Sequence, residues 1–162
     1  MGVLLSVLNE DFGQILADPE TIAALATTGS DGSVHVAFKG SFCLREDGNL
    51  EYDEVIEASQ TNKNLVYSIW FGKTVSISFL AKDHRSFLVI GRPVRALVSG
   101  REFREHYVAI RGRLGDVDLS TVWIIEPVSV CEQSFEKRRT EEENAHPLFR
   151  HLDRLAVSGS GL

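Results

Sequence analysis

The chain has 162 residues, with 23 acidic against 17 basic side chains and a formal net charge of −6. That length suits one domain with a real core. The negative balance excludes general nucleic-acid binding, whose affinity comes from phosphates neutralised by Lys and Arg, but leaves a small anionic ligand open.

The start, MGVLLSVLNEDF, is apolar for only a few residues and has no basic flank. It reads as neither a signal peptide nor a membrane span, so a soluble cytoplasmic protein is expected. Gly2 and Ser6 match the loose myristoylation pattern, but no polybasic second signal follows. Asn9 to about Leu16 is predicted as a short helix, capped by Asn9 with Glu10 and Asp11 in its first turn. TIAALATTG is a first strand, and SDGS a turn with Gly32 at its tightest point. VHVAFKGSF alternates: Val34, Val36, Phe38, Gly40 and Phe42 on one face, His35, Ala37, Lys39 and Ser41 on the other. This predicts a half-buried antiparallel strand with Phe38 and Phe42 on the apolar barrel face.

REDGN is a hairpin turn from which Leu50 to Asp53 returns. SQTNKNL, residues 59–65, is a polar turn opening onto a short helix. The first amides of such a helix lack internal partners and suit an anion; Ser59 or Thr61 would equally serve as a simple cap. TVSISFL alternates again, and KDHR turns the chain. SFLVIGRPVRALV is a long strand in which Gly91–Pro93 predicts a bulge or bend. Gly100 to Ile110 is a charged helix, RGRLGDVD a loop, and STVWIIEPVSV the last strand. The charged tail, about 136–157, is predicted to close in a helix begun by Pro147, with Leu148, Leu152 and Leu155 at helical spacing. Short antiparallel strands with few helices predict a mainly β, Greek-key type small barrel with peripheral helices, one domain over 1–162.

Cys43 and Cys131 show no metal-type spacing and read as buried, reduced thiols. His35, His84, His106, His146 and His151 show no metal-ligand spacing, and no metal site is expected. There is no Ser/His/Asp signature, GxxxxGK loop or GxGxxG, so no catalytic residue stands out.

The ordered set ALATTGSDGSVHVAF, DGNLEY, SQTNKNL, VSISFL and FLVIGRPVRAL resembles the FMN-binding split-barrel family, which includes pyridoxamine 5′-phosphate oxidase and small bacterial FMN-binding proteins. The similarity spans about residues 20–130, and no single motif decides it. The resemblance implies a split β-barrel homodimer with FMN in the groove between subunits. It implies flavin contacts from Ala37 to Phe42 (Ala37, Phe38, Lys39 and Ser41 among them), and a phosphate grip at Ala58, Ser59, Gln60 and Thr61. It also implies a contact of Ser86 with the ring edge, and Trp123 near the partner subunit.

The departures matter as much. Family members usually carry basic residues where Gln60 and Thr61 stand; Ala37 and Phe42 replace the oxidase's Arg and Lys, and its C-terminal Arg-Leu-Pro-type motif is absent. Vitamin B6 oxidation is therefore not expected. The grip would be mostly neutral, helped by Lys39 or, across a dimer, by Arg138 or Arg139. The expected function is a flavin-dependent oxidoreductase acting on an unknown small molecule. The alternatives are a flavin carrier or electron-transfer protein, a haem-binding split barrel using a tail histidine, or an empty barrel kept for interactions.

Overall fold

The computed structural model describes Leu8 and residues 10–149. The Asn9 cap, Gly2, Ser6, His151 and the Leu152–Leu155 spacing lie outside those residues. In chain order the elements are α1 (Glu10–Ala17), β1 (Ile22–Thr28), β2 (Val34–Phe38), β3 (Cys43–Leu44), β4 (Leu50–Glu54) and α2 (Gln60–Phe71). They continue as β5 (Val75–Leu80), β6 (Ser86–Leu97), α3 (Gly100–Leu114), β7 (Thr121–Glu132) and α4 (Phe135–Ala145). No described helix is long and apolar enough to cross a membrane.

The strands form one seven-stranded antiparallel sheet in the order β2-β1-β5-β6-β7-β4-β3. It curls into a split barrel. Its two ends are not joined by a ladder. Side chains from the segment after β2 close the gap instead: Lys39 Nζ reaches Glu54 at 2.8 Å, and Ser41 Oγ accepts from Asp53 N at 2.9 Å. The interior is filled by alternate residues of the strands, among them Leu25, Tyr52, Ile77, Phe79, Val89 and Trp123. Leu65 of α2 and Phe12 of α1 plug it, Phe12 meeting Phe79 and Phe87 edge-on. The expected irregularity in β6 is present, with register shifts between Ile90 and Gly91 and between Pro93 and Arg95. Gly91 is required there, because a Cβ would lie 2.5 Å from Ile125 Cγ2.

Four expectations are corrected. Strand β2 stops at Phe38 rather than Phe42, and its faces are reversed. Val34, Val36 and Phe38 point outward, with Phe38 77% exposed, whereas Phe42 is buried as expected. Register decides this: Ala37 pairs with core Leu25, and His35 with buried Thr27. Cross-strand partners share a face, so the apolar stripe goes out. Helix α3 continues through Gly112 to Leu114 and stops at Gly115, whose φ of 83° favours glycine. The tail helix α4 precedes Pro147 instead of following it. Pro147 disfavours helical backbone at His146, which sits at φ −133°, and Pro147–Leu148 form a turn. Both cysteines are free and exposed rather than buried, Cys131 because it lies beside Leu88 on the outer face.

Trp123 is a core residue. It is 1% exposed and donates its indole N–H to Asn62 Oδ1 at 2.9 Å, tying β7 to the start of α2. Trp123→Phe removes that bond and leaves a buried acceptor unpaired, so it is expected to cost about 2 kcal/mol in urea denaturation. Trp70 is 79% exposed, so the variant should also lose the blue part of the tryptophan emission.

Candidate functional site

Helix α2 begins where the polar turn was read. Ser59 is its N-cap, with extended backbone, and its Oγ accepts from Asn62 N at 3.0 Å. Cap geometry therefore uses one orphan amide. As the first two helical residues, Gln60 and Thr61 have amides with no acceptor inside the helix. The side chains around this turn are mostly engaged inward. Gln60 Nε2 donates to Asn64 Oδ1 at 2.8 Å, and Asn64 Nδ2 donates to Thr27 Oγ1 at 3.0 Å. Asn62 Nδ2 holds Glu57 O at 2.9 Å. Among the described residues, Thr61 Oγ1 is the one buried side-chain polar atom without a partner, in a residue only 1% exposed. An unpaired buried hydroxyl costs about 1–3 kcal/mol. Turning toward an acceptor at the helix start would break no bond.

Lys39 points into the barrel, where Glu54 takes its ammonium. Glu54 is 2% exposed, and its Oε2 also lies 3.3 Å from the Tyr52 hydroxyl, while Oε1 accepts from Ile56 N at 3.1 Å. Burial first, then the neighbouring carboxylate, pushes the Tyr52 phenol well above its ordinary range. Ile56 O in turn accepts from Ser59 N at 3.0 Å, so Glu54 links Lys39 to the helix start. This corrects the expected role of Lys39: its charge is neutralised inside the barrel instead of standing free for a ligand.

The structure thus ties Lys39 and Ser41 to β4, and Lys39 through Glu54 and Ile56 to the start of α2, whereas Ala37 pairs with Leu25 of β1 and Phe38 points outward. Ser86 stands elsewhere. Its amide donates to Ser134 Oγ at 3.1 Å, beside the start of α4. Ala96 pairs with Trp123, and from Ser86 to Ala96 there is roughly 30 Å of strand. Arg138 and Arg139 are also at the Ser86 end, on α4, where Arg139 pairs with Glu136 at 3.0 Å and stacks on Phe135.

Glu54 was missed because the returning strand was ended at Asp53. One residue more would have placed it inward with Leu50 and Tyr52. The Asn62–Trp123 and Asn64–Thr27 bonds join residues far apart in sequence and leave no local signal.

No family model and no curated protein matches this chain. Solved structures do. HupZ from Group A Streptococcus is 18% identical and covers 79% of this chain and 95% of its own, with a TM-score of 0.64. An FMN-binding protein from Syntrophomonas wolfei is 11% identical over 78% of this chain and 86% of its own, with a TM-score of 0.62. HutZ, a heme storage protein from Vibrio cholerae, is 13% identical over 77% and 97%, with a TM-score of 0.55. The chain therefore has the split-barrel fold that flavin-binding and haem-storing proteins share.

Proposed function

We propose that the protein binds FMN at the start of α2 as a homodimer and serves as a flavin-dependent oxidoreductase for a small molecule. The observation that carries this reading is the start of α2. Two unpaired amides, at Gln60 and Thr61, sit with an unpartnered Thr61 hydroxyl at the turn that the sequence resemblance leads one to expect as the flavin-phosphate grip. Those groups fit a phosphate chemically: helix-start amides and a hydroxyl donate to its oxygens and need no basic side chain. When bound, FMN supplies one- or two-electron transfer, and this chain's residues position it and set its surroundings. Ser59 and Asn62 hold the turn open by capping; Gln60 and Asn64 anchor it to Thr27.

A second copy belongs to the proposal. Ser86 and the arginines of α4 lie far along β6 from the α2 turn, so one chain does not bring them to the same ligand. The uncovered apolar face of β2 offers the surface on which a partner would dock.

Thr61→Val tests the grip. It exchanges an unpaired buried hydroxyl for a methyl of the same shape, so folding stability should hold or rise. FMN affinity, read from quenching of flavin fluorescence, should fall roughly five- to tenfold. A colourless wild-type protein that leaves added FMN fluorescence unchanged would overturn the proposal. A Soret band in place of flavin bands would favour haem instead.

A further inference from the structure

Away from the α2 turn, the outer face of β4 meets α3. Glu51 and Asp53 point out of the barrel there, because Leu50, Tyr52 and Glu54 point in. Helix α3 lies across them, seated by Phe103, Tyr107 and Ile110 on Val122 and Ile124. Its Glu102 and His106 are one turn apart and face the same way. Carboxylate oxygens of Glu51 and Glu102 and a ring nitrogen of His106 all lie within 4.8 Å of one another.

The imidazole is oriented. Its Nδ1 meets Asp53 Oδ1 at 2.8 Å, and its Nε2 faces Glu51 Oε1 at 3.5 Å. With Nδ1 held by Asp53, the Nε2 edge of the ring turns toward Glu51, whose Oε1 also accepts from Cys43 Sγ at 3.0 Å. A carboxylate behind a histidine is the arrangement that orients histidine ligands for metals. Lone pairs of two carboxylates and an imidazole repel one another unless a positive centre sits among them. In this structure Arg45 supplies that positive charge to the two carboxylates. Its Nη1 reaches Glu51 Oε2 at 2.5 Å and also Glu102 Oε1. Arg45 has another partner, Asp47 at 3.1 Å on the exposed hairpin turn, to which it can retreat.

We propose that Glu51, Glu102 and His106 form a site for a zinc-class divalent cation, which takes the place of the Arg45 guanidinium. One nitrogen and two carboxylate ligands suit zinc, with solvent completing the coordination on the open side. A bound ion would fasten α3 to β4 by coordination. The site is separate from the α2 turn, and its failure would leave the flavin reading untouched. Sequence reasoning passed over it because it looked for histidine pairs, whereas here one histidine meets an acid of its own helix and another on β4.

Zinc chloride titrated into the full chain by calorimetry tests this. The wild type should bind one ion at the site. Glu102→Gln and His106→Gln should each weaken it at least about tenfold. Glu102 is half-exposed and its isosteric change leaves the fold intact, so it covers the case in which His106→Gln folds poorly. Arg45→Met should bind zinc more tightly, because the competing cation is gone. Wild-type zinc affinity retained in Glu102→Gln would overturn the site. An Arg45→Met variant that binds no tighter would overturn the exchange.

Discussion

Val36→Asp combined with Phe38→Asp is expected to convert the proposed dimer into a folded monomer, read by sedimentation equilibrium or light scattering on an eluting peak. Among the described residues, the outer face of the sheet is covered at one end only. Helix α3 covers the end formed by β4, β7 and the last part of β6. Among the described residues no helix covers the other end. There Val34, Val36 and Phe38 of β2 continue across β1 and β5 as Ala24, Ala26, Ser76 and Ser78, and into β6 as Leu88 and Ile90. Large apolar residues at the edges with small ones between them make a surface that another sheet or helix can approach closely. The three β2 side chains are the most exposed part of it.

Large apolar side chains exposed together on one strand face are a feature by which interaction sites are recognised. Burying apolar area contributes about 25 cal/mol per Å², and two unpaired carboxylates placed on the most exposed strand of this surface would cost several kcal/mol on association. That is more than a hundredfold in the dissociation constant. Because both positions are exposed in one chain, the monomer's own stability should change little, and a circular dichroism melt controls for that. A wild type that sediments as a monomer, or a double aspartate variant that remains a dimer, would overturn the expectation.

Glu54→Ala is the second large effect, expected at about 3–5 kcal/mol in urea denaturation. Glu54 holds three donors at once: the Lys39 ammonium, the Tyr52 hydroxyl and the Ile56 amide. Lys39 also sits 5.4 Å from the Tyr52 ring centroid, over its face. Removing the carboxylate leaves a largely buried ammonium with no counter-charge. Such a group is far costlier than the loss of a surface ion pair, which is worth at most about 1 kcal/mol. The loss should be local as well as global, since Glu54 sets the path from β4 into the Ser59 cap. Lys39→Met combined with Glu54→Leu should recover most of the stability, because replacing a buried pair by apolar groups of similar volume is often neutral. If Glu54→Ala alone falls within about 1 kcal/mol of the wild type, the pair is solvated in solution and Lys39 is free for a ligand after all.

Much of the architecture was legible locally. Alternation placed β2 and β5, apolar segments between turn signals placed β1, β6 and β7, the Gly91–Pro93 break located the bulge, and the polar turn at residues 59–65 located the start of α2. These signals are carried by neighbouring residues, and two- or 3.6-residue periods are visible without knowing the partner. Periodicity separates two faces of a strand but does not say which one turns inward. For β2 the apolar face was assigned to the core, and the register against β1 put it outside.

The candidate site divides the same way. The amino-acid sequence by itself determined the anion-suited turn, the absence of basic side chains at Gln60 and Thr61, and the ordered strands of a small barrel. Tertiary structure alone decided that Lys39 is spent on Glu54 and that Trp123 is fixed in the core by Asn62. It decided that Ser86 lies far along β6 from the turn, and that His106 meets Glu51 from another element. The physical reason is common to all four. Electrostatic and hydrogen-bond partners are chosen by distance in space, and a curled sheet brings together residues whose separation in the chain carries no record of it.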